Sequence, residues 1–278
     1  MMSIRAYKTP QQFLDDTEEI LEQKEVENNL ILGICNGFAD KSKAYEGCVF
    51  INSFEDRKIQ ATSIKTISKA VVSGTTKDVQ YIKGLADYYL DNNIKLTGAV
   101  SESFYSTEFS DFYGKRQIGK IILIVHKLTS VNGLPLTTGR FETANADDID
   151  LIAEWTIGFE KDAKAFPIKT KEQALKTTQE RIALGNLFKW VDKGEIVSIA
   201  AIVRKTRHLG IVGLVYTPDE SRGKGYATSC VQKLSEHTLQ NGFKYCALFT
   251  DKSNPTSNHI YKKIGYFPIT EFTDIEYE

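Results

Sequence analysis

The pattern of apolar and polar positions is clearest in the second half of the chain. Residues 138–144 have the pattern of a short strand, and two helices with polar faces are predicted at about 146–160 and 170–184. LFKWV and EIVSIAAIV then flank Asp-Lys-Gly, which indicates a β-hairpin. LGIVGLVY is a continuous apolar run, typical of a strand that is covered on both faces.

The remaining C-terminal elements alternate between helix and strand. A helix is predicted over 223–241 with Gly242 as its stop, and KYCALFT is the next strand. Asn254 and Pro255 have the residue types that cap and open one last helix. This order predicts a parallel strand pair in a mixed sheet, with the turn after LGIVGLVY at an edge where such sheets bind ligands. The tail TDIEYE either completes a strand or reaches a neighbouring molecule.

The N-terminal half follows the same order of elements with a weaker pattern. Helices are predicted within 10–33, strands at CVFINSF, KIQATSIKTI and KAVVSG, and a helix–strand–helix–strand succession from VQYIKG to KIILIVHKL. We interpret this order as a decayed internal repeat, with an unrelated α/β domain as the alternative. The sequence therefore predicts an α/β protein with a mixed sheet and two domains, 1–137 and 138–278.

The segment SRGKGYATS carries the most informative chemistry. Gly223 and Gly225 allow a sharp bend and a close approach of a ligand to the backbone, and Arg222 and Lys224 add positive charge. A helix that begins near Gly225 would direct its unpaired amide groups at an anion. Lys224 lacks the following Ser or Thr of a P-loop, and Thr228 replaces the third glycine of a dinucleotide fingerprint. Nucleoside triphosphates and NAD are therefore disfavoured.

Together with a second segment, this turn resembles the GNAT superfamily of acyl-CoA-dependent N-acyltransferases. The family signature has Gln or Arg, two residues, Gly, one residue, and Gly or Ala, which matches Arg222, Gly225 and Ala227. NPTSNHIYKKIGY, one strand later, looks like the second signature of the family. The resemblance covers roughly 138–278, and the chain departs from many relatives in having Asp-Glu-Ser before Arg222, where an aromatic residue is common. The chain is also similar to the branch of this superfamily that contains glycine N-acyltransferase-like enzymes.

The resemblance implies a site for acetyl-CoA. Backbone groups of Val215, Tyr216 and Thr217 would pair with the pantetheine arm, and Asn254 would support the cofactor. A backbone amide near Val215 would hold the oxyanion of the tetrahedral intermediate. The pyrophosphate would be held by the amides of Arg222, Gly223, Lys224, Gly225, Tyr226 and Ala227.

Tyr261 is the residue that we expect to take part in the chemistry. It lies seven residues after Asn254, two helical turns farther along the same face. The resemblance implies that Tyr261 donates a proton to the leaving CoA thiolate. The alternative is a core aromatic residue stacked with Ile264.

Other charged residues have weaker claims on the site. Glu154, Glu160 and His259 could accept a proton from the amine, although carboxylates on helix faces are usually only solvated. The basic group Arg204, Lys205 and Arg207 could meet the other phosphate of the cofactor, and a solvated face is the simpler interpretation.

Composition and charge narrow the class of partner. With 35 Lys plus Arg against 36 Asp plus Glu, the formal net charge of −1 provides no long-range field for nucleic acid or an acidic membrane. The four cysteines are far apart and form no C-x-x-C pair, as expected for reduced thiols in a cytoplasmic protein. The first residues lack the apolar segment of a signal peptide, and the longest apolar run is too short to span a membrane.

These observations predict a cytoplasmic N-acetyltransferase that needs no metal. It would transfer an acetyl group from acetyl-CoA to a primary amine of a small molecule or peptide, by direct attack in a ternary complex. Two alternatives stay open: an acyl-CoA:amino-acid N-acyltransferase, and a regulatory module that binds acyl-CoA without turnover. A homodimer is also left open.

Overall fold

The chain forms two compact units. The structure is a computed structural model that describes residues 2–39, 44–163 and 168–278. The first unit comprises Met1–His126, Phe249–Asn254 and Pro268–Glu278, and the second comprises Lys127–Leu248 and Pro255–Phe267. The domain ranges predicted from the sequence, 1–137 and 138–278, differ from this division and stay a prediction.

The first half begins with a strand and two helices, followed by three strands and a helix–strand–helix–strand succession. In chain order these elements are β1 (Ser3–Tyr7), α1 (Pro10–Glu22), α2 (Asn29–Ala39), β2 (Val49–Glu55), β3 (Lys58–Lys65), β4 (Lys69–Gly74), α3 (Val79–Asp91), β5 (Gly98–Glu102), α4 (Ser103–Tyr113) and β6 (Gln117–Leu128).

The second half has the same order of α-helices and strands. Its elements are β7 (Arg140–Thr143), α5 (Ile149–Asp162), α6 (Lys171–Ala183), β8 (Leu187–Asp192), β9 (Glu195–Lys205), β10 (Leu209–Tyr216), α7 (Tyr226–Gln240), β11 (Tyr245–Asp251), α8 (Pro255–Ile264) and β12 (Phe267–Tyr277). Within the described residues, the two halves therefore share one succession of elements, and the predicted mixed α/β fold is confirmed.

Strand pairing is also the same in the two halves. In each, the first four strands pair antiparallel in chain order, and the fourth pairs parallel with the fifth: β4 with β5, and β10 with β11. The last strand of the chain, β12, pairs antiparallel with β5, with Phe272 opposite Glu102. The tail TDIEYE thus forms part of a strand, which was one of its two predicted outcomes.

Alternating side chains on the strands make a core on each face of the sheet. In the first unit, Phe50 packs on α1 and α2, whereas its neighbour Ile51 packs on α3 and α4. In the second unit, Ala200 lies in the cluster with α7 and α8, whereas its neighbour Ala201 lies in the cluster with α5. The strand β10 also contributes to both clusters, through Val212 and Leu214. Because both faces are covered, the continuous apolar run of β10 is explained.

The hairpin between β8 and β9 follows directly from its turn residues. Lys193 and Gly194 both have positive φ angles, 52° and 88°. A two-residue turn with both φ angles positive matches the twist of the flanking strands. The hairpin predicted at Asp-Lys-Gly is therefore confirmed.

The buried thiols of the second unit predict a loss of stability at alkaline pH. Burial raises the pKa of Cys230 above its ordinary value of 9.0 and raises the pKa of Cys246 to about 12. Above pH 9 the unfolded chain loses these protons and the folded chain keeps them, so the free energy of unfolding falls as pH rises. The slope is at most about 1.4 kcal/mol per pH unit for each thiol.

Denaturant unfolding between pH 7 and 10.5 measures this slope. The slope above pH 9 should be smaller in Cys230→Ala than in the unmodified protein. Cys48→Ala is the comparison variant in the other unit, because Cys48 is only half-buried; burial raises the pKa of Cys48 less than that of Cys230, so its removal should lower the slope less. Equal slopes in all three proteins would contradict the expected role of the buried thiol.

Among the described residues, no helix has the length and apolar character needed to cross a membrane.

Candidate functional site

A β-bulge shapes the carboxyl end of β10. The register with β9 shifts between Gly213 and Tyr216, and Leu214 has a positive φ of 49°. The parallel ladder with β11 ends at Val212 opposite Leu248. The last part of β10, which includes Val215 and Tyr216, therefore continues beyond the paired region of this ladder.

The chain leaves β10 through a hydrogen-bonded turn. The hydroxyl of Ser198 donates to the carbonyl of Tyr216 at 3.2 Å, and the hydroxyls of Ser198 and Thr217 lie 2.9 Å apart. On the other side, the Tyr216 ring lies 5.8 Å from the Trp155 ring. A Cβ atom at Gly158 would lie 2.7 Å from the Tyr216 hydroxyl, so only glycine leaves room for this ring at its present position.

The loop between β10 and α7 presents consecutive backbone amides without an acceptor. In the described part of the chain, no hydrogen bond uses the amides of residues 223–228, and the next amide, of Ser229, donates to Gly225 O at 3.1 Å. Gly223 and Gly225 have φ angles of 76° and 82°. The loop is exposed, and its amides precede and begin the 15-residue helix α7. Such an array of amides at a helix start binds anions.

The side chain of Arg222 is bound to the protein on three sides. Its Nε donates to Thr217 O at 2.9 Å, and its two terminal nitrogens pair with Asp162 at 2.6 Å and Asp219 at 2.7 Å. Two carboxylates therefore balance its charge. The arginine side chain stabilises the shape of the loop. The Arg222 amide itself donates to Asp219 O at 3.2 Å, so the prediction that it binds the pyrophosphate is not supported, whereas the free amides that follow stay the predicted anion-binding element.

Replacement of Arg222 should therefore act through loop shape. We expect Arg222→Ala to weaken acetyl-CoA binding about 10-fold, because the loss of charged hydrogen bonds unfastens the loop. Lys224→Ala should change binding less than about 3-fold, since Lys224 is exposed and donates one hydrogen bond, to Glu220 O at 3.0 Å. Calorimetric titration of both variants measures the difference, and an equal loss in the two would contradict this assignment.

The segment before β7 lies over the start of α7. The Thr137 amide donates to Ser229 Oγ at 3.0 Å, and Thr137 Cγ2 lies 2.9 Å from the position that a Cβ atom at Gly225 would take. Tyr226, the first residue of the helix, donates its hydroxyl to Asp192 at 2.7 Å. The loop is thus held on both sides, and Gly225 has little space for a side chain.

Tyr261 lies on α8 in the core cluster that also contains Tyr226 and Ile264, with Val215 packed against it. Its ring is 9% exposed and meets the ring of Tyr266 edge-on at 6.0 Å. Among the described residues, no hydrogen bond is found for the Tyr261 hydroxyl. Burial raises the pKa of this phenol above its ordinary value of 10.0, so the hydroxyl keeps its proton at neutral pH.

Asn254 directly precedes Pro255, the first residue of α8, as the sequence predicted. Its amide donates to Asp251 O at 3.0 Å. Asn254 belongs to the first compact unit and the β10–α7 loop to the second, so its contact with the cofactor stays a prediction.

The three residues named as candidate bases lie in different environments. Glu160 is 7% exposed, and its carboxylate accepts from the Lys169 amide at 2.8 Å and pairs with the Lys169 ammonium. It joins α5 to the segment before α6, and this pairing gives Glu160 a structural role that the sequence did not indicate. Glu154 and His259 are exposed.

The basic group at the end of β9 does not fit a phosphate of the same ligand. Arg204 pairs with Ile211, six residues before Thr217 on the neighbouring strand. At about 3.3 Å per residue this separation is roughly 20 Å along the strand. The group therefore lies towards the amino end of β10, away from the loop.

Sequence reasoning missed several residues that position the loop. Asp162 and Asp219 hold Arg222, Ser198 holds the exit of β10, and Thr137 lies against Gly225. The described chain holds no group of three or more His, Cys, Asp or Glu residues arranged to bind a metal ion.

Comparison with known proteins gives one family match and several structures of similar fold. The FR47-like protein family matches residues 190–273. A comparison with curated proteins found no match. A GCN5-related N-acetyltransferase from Sphaerobacter thermophilus is 15% identical with a TM-score of 0.64, covering 99% of this chain and 95% of that chain.

Two more solved structures extend over both halves. A GNAT-family acetyltransferase from Colwellia psychrerythraea is 11% identical with a TM-score of 0.60, covering 99% of this chain and 100% of that chain. A tandem GNAT protein from the clavulanic acid biosynthesis pathway is 11% identical with a TM-score of 0.58, covering 99% of this chain and 98% of that chain. The FR47-like match lies within the second half of the chain, and the three solved structures share the fold of the whole chain.

Proposed function

We propose that this protein is an acetyl-CoA-dependent N-acetyltransferase whose active site is built on the second half of the chain. The acceptor is a primary amine of a small molecule or peptide. The observation that carries the proposal is the run of free amides at residues 223–228, which begins in the exposed part of the loop and is shaped by two glycines with positive φ. A diphosphate supplies the charge and the acceptor oxygens that such an array binds.

The fit of acetyl-CoA rests on two neighbouring features. The amides of the loop bind the pyrophosphate, and the helix dipole of α7 adds positive potential at the same place. The backbone of Val215, Tyr216 and Thr217 lies beyond the parallel ladder and pairs with the amide groups of the pantetheine arm, as an added strand would. The four cysteines are free thiols, which fits a reducing compartment such as the cytoplasm.

The chemistry is direct attack of the neutral amine on the thioester carbonyl. Acetyl-CoA supplies the activated acetyl group, and a new C–N bond forms as the C–S bond breaks. A backbone amide in the bulge near Val215 donates a hydrogen bond to the oxygen that becomes negative. Tyr261 gives its phenolic proton to the departing sulfur. The proton that the amine nitrogen releases passes through water to the Tyr261 phenolate, which restores the side chain, so protons and charge balance.

The raised pKa of Tyr261 is compatible with this role. In water, proton transfer from a phenol of pKa near 10 to a thiolate of pKa about 8.5 is uphill. A buried thiolate is a stronger base, as the raised pKa of the Cys230 thiol in the same cluster illustrates. Burial therefore raises the pKa of the acceptor thiol as well as that of the Tyr261 phenol. Proton transfer from Tyr261 to the thiolate thus stays energetically accessible.

Release of free thiol from acetyl-CoA in the presence of a panel of amines tests the proposal. Small alkylamines, polyamines, amino acids, aminoglycosides and lysine peptides cover the main acceptor classes. Thiol release that depends on one class, with an equal yield of N-acetyl product, would support the proposal and identify the acceptor. Tight acetyl-CoA binding without release for any class would instead indicate a regulatory module.

A further inference from the structure

The first compact unit has a cavity of its own at the carboxyl ends of its parallel strands β4 and β5. The cavity has a volume of about 240 Å³, and its lining includes Lys24, Glu27, Lys77, Glu102 and Tyr105. A smaller cavity of about 100 Å³ shares Lys24 with it. The cavity has the same position in the first half as the loop before α7 has in the second half. Each lies after the fourth strand of its half and before the helix that follows that strand.

This cavity is not a second pyrophosphate site. The turn 75–78 has no glycine, and Asp78 at the start of α3 accepts a hydrogen bond from the Gln80 amide at 3.1 Å. The Tyr105 hydroxyl lies under the turn and donates to Gly74 O at 2.9 Å and Thr76 O at 3.1 Å. An aspartate at the helix start repels a diphosphate, so the second half's mode of binding is lost here.

The backbone of β4 also has no room to pair with an extended ligand. In the described part of the chain, the parallel ladder with β5 pairs Lys69 with Gly98 and Ala70 with Ala99. Beyond it, the Val72 amide donates to the side chain of Ser101 at 2.7 Å. An extended ligand arm therefore has no free amide at this position of β4, which excludes the pantetheine mode of binding.

Charged groups of both signs line the cavity and are poorly paired. Glu102 is the N-cap residue of α4 but accepts no capping hydrogen bond, and its nearest cation is Lys77 Nζ at 3.9 Å. Within the described residues, Lys24 and Glu27 make no ion pair or hydrogen bond through their side chains. Burial and the Glu102 carboxylate raise the pKa of Tyr105 to about 12, so this phenol stays neutral and its one proton is shared by the two carbonyls of the turn.

We propose that the cavity binds a small zwitterion that carries an ammonium and a carboxylate group, such as a free α-amino acid. The ammonium group pairs with Glu27 and Glu102, and the carboxylate pairs with Lys24 and Lys77. A volume of about 240 Å³ lies below the roughly 300–1,000 Å³ of sites for drug-sized ligands and suits a small metabolite. This proposal concerns the first unit alone and stands independently of the proposed transferase activity.

Calorimetry and thermal shift of the full chain, without acetyl-CoA, test the proposal. The probes are the twenty amino acids, each compared with its decarboxylated amine and its deaminated acid. At least one amino acid should bind saturably, and both of its relatives should bind at least about 10-fold more weakly, because each lacks one charged hydrogen-bonding group.

Variants locate the binding. Glu102→Gln and Glu27→Gln should each weaken binding of that amino acid about 10-fold, whereas Glu19→Gln, an exposed carboxylate on α1, should not. Unchanged thermal unfolding of the ligand-free variants checks that they are folded. The proposal is overturned if no amino acid binds below about 10 mM, if the decarboxylated amine binds equally well, or if the double variant Glu27→Gln, Glu102→Gln binds as the unmodified protein does.

Discussion

The variant Gly225→Glu is expected to lose acetyl-CoA binding by roughly 10²- to 10⁴-fold while it keeps its fold. The residue has a φ of 82°, and a Cβ atom would lie 2.9 Å from Thr137 Cγ2. The new carboxylate lies among the free amides and repels the diphosphate. Loss of two charged hydrogen bonds, each worth about 1.5–3 kcal/mol, gives this range.

Two further variants separate charge from backbone strain. Gly242→Glu is the matched control, because Gly242 follows the other end of α7, has a φ of 94° and has no atom within 4 Å of its Cβ position. It adds the same charge and a similar strain about 25 Å away along the helix, and binding should be unchanged. Gly225→Ala should fall between the two. Retained binding in Gly225→Glu, measured by calorimetry, would remove the loop from the site.

The variant Tyr261→Phe is expected to lower kcat by roughly 10²- to 10⁴-fold, the range of general acid catalysis. The change removes one oxygen and keeps the ring contact with Tyr266 at 6.0 Å, so the KM for acetyl-CoA should change little. Steady-state kinetics with the amine that gives thiol release provides both constants.

Tyr266→Phe is the matched control for this loss. Its hydroxyl lies 2.8 Å from Ser235 Oγ in the same cluster, so removal should cost about 1 kcal/mol of stability and leave kcat near that of the unmodified protein. Burial raises the pKa of Tyr261 above 10.0, so the unmodified protein should show no alkaline loss of kcat from this group below pH 10. An unchanged kcat in Tyr261→Phe would contradict its role as the acid.

The sequence predicts the second half well because its local signals agree with one another. The Asp-Lys-Gly turn requires positive φ angles that Gly194 adopts readily, and the two-sided burial of β10 leaves a continuous apolar run. Pro255 opens α8 because its missing amide is one that a helix start leaves unpaired anyway. Each of these elements is specified by a few neighbouring residues.

The first half is predicted only in the order of its elements. β1, with the sequence SIRAY, is missed because it is short and three of its five residues are exposed. β12 is left open because its partner β5 lies about 170 residues earlier, a pairing that no local pattern indicates. Long-range pairing is determined by the sheet as a whole.

Parts of the site also depend on contacts between distant residues. Asp162 pairs with Arg222, which lies 60 residues later in the sequence. Thr137, in the segment before β7, lies next to Gly225 at the start of α7. The bulge at Leu214 places a positive φ on a residue type that rarely adopts it, so the sequence offers no signal for it. The amide-rich loop, in contrast, could be predicted because its glycines and helix start are adjacent in sequence.

Calorimetric titration with acetyl-CoA and with acetyl-pantetheine, which lacks all phosphates, tests the central claim most directly. We predict micromolar binding of acetyl-CoA and binding of acetyl-pantetheine that is at least about 100-fold weaker, because only acetyl-CoA offers a diphosphate to the amides of residues 223–228. Equal affinity for the two compounds, or no binding of acetyl-CoA, would contradict the assignment of this loop.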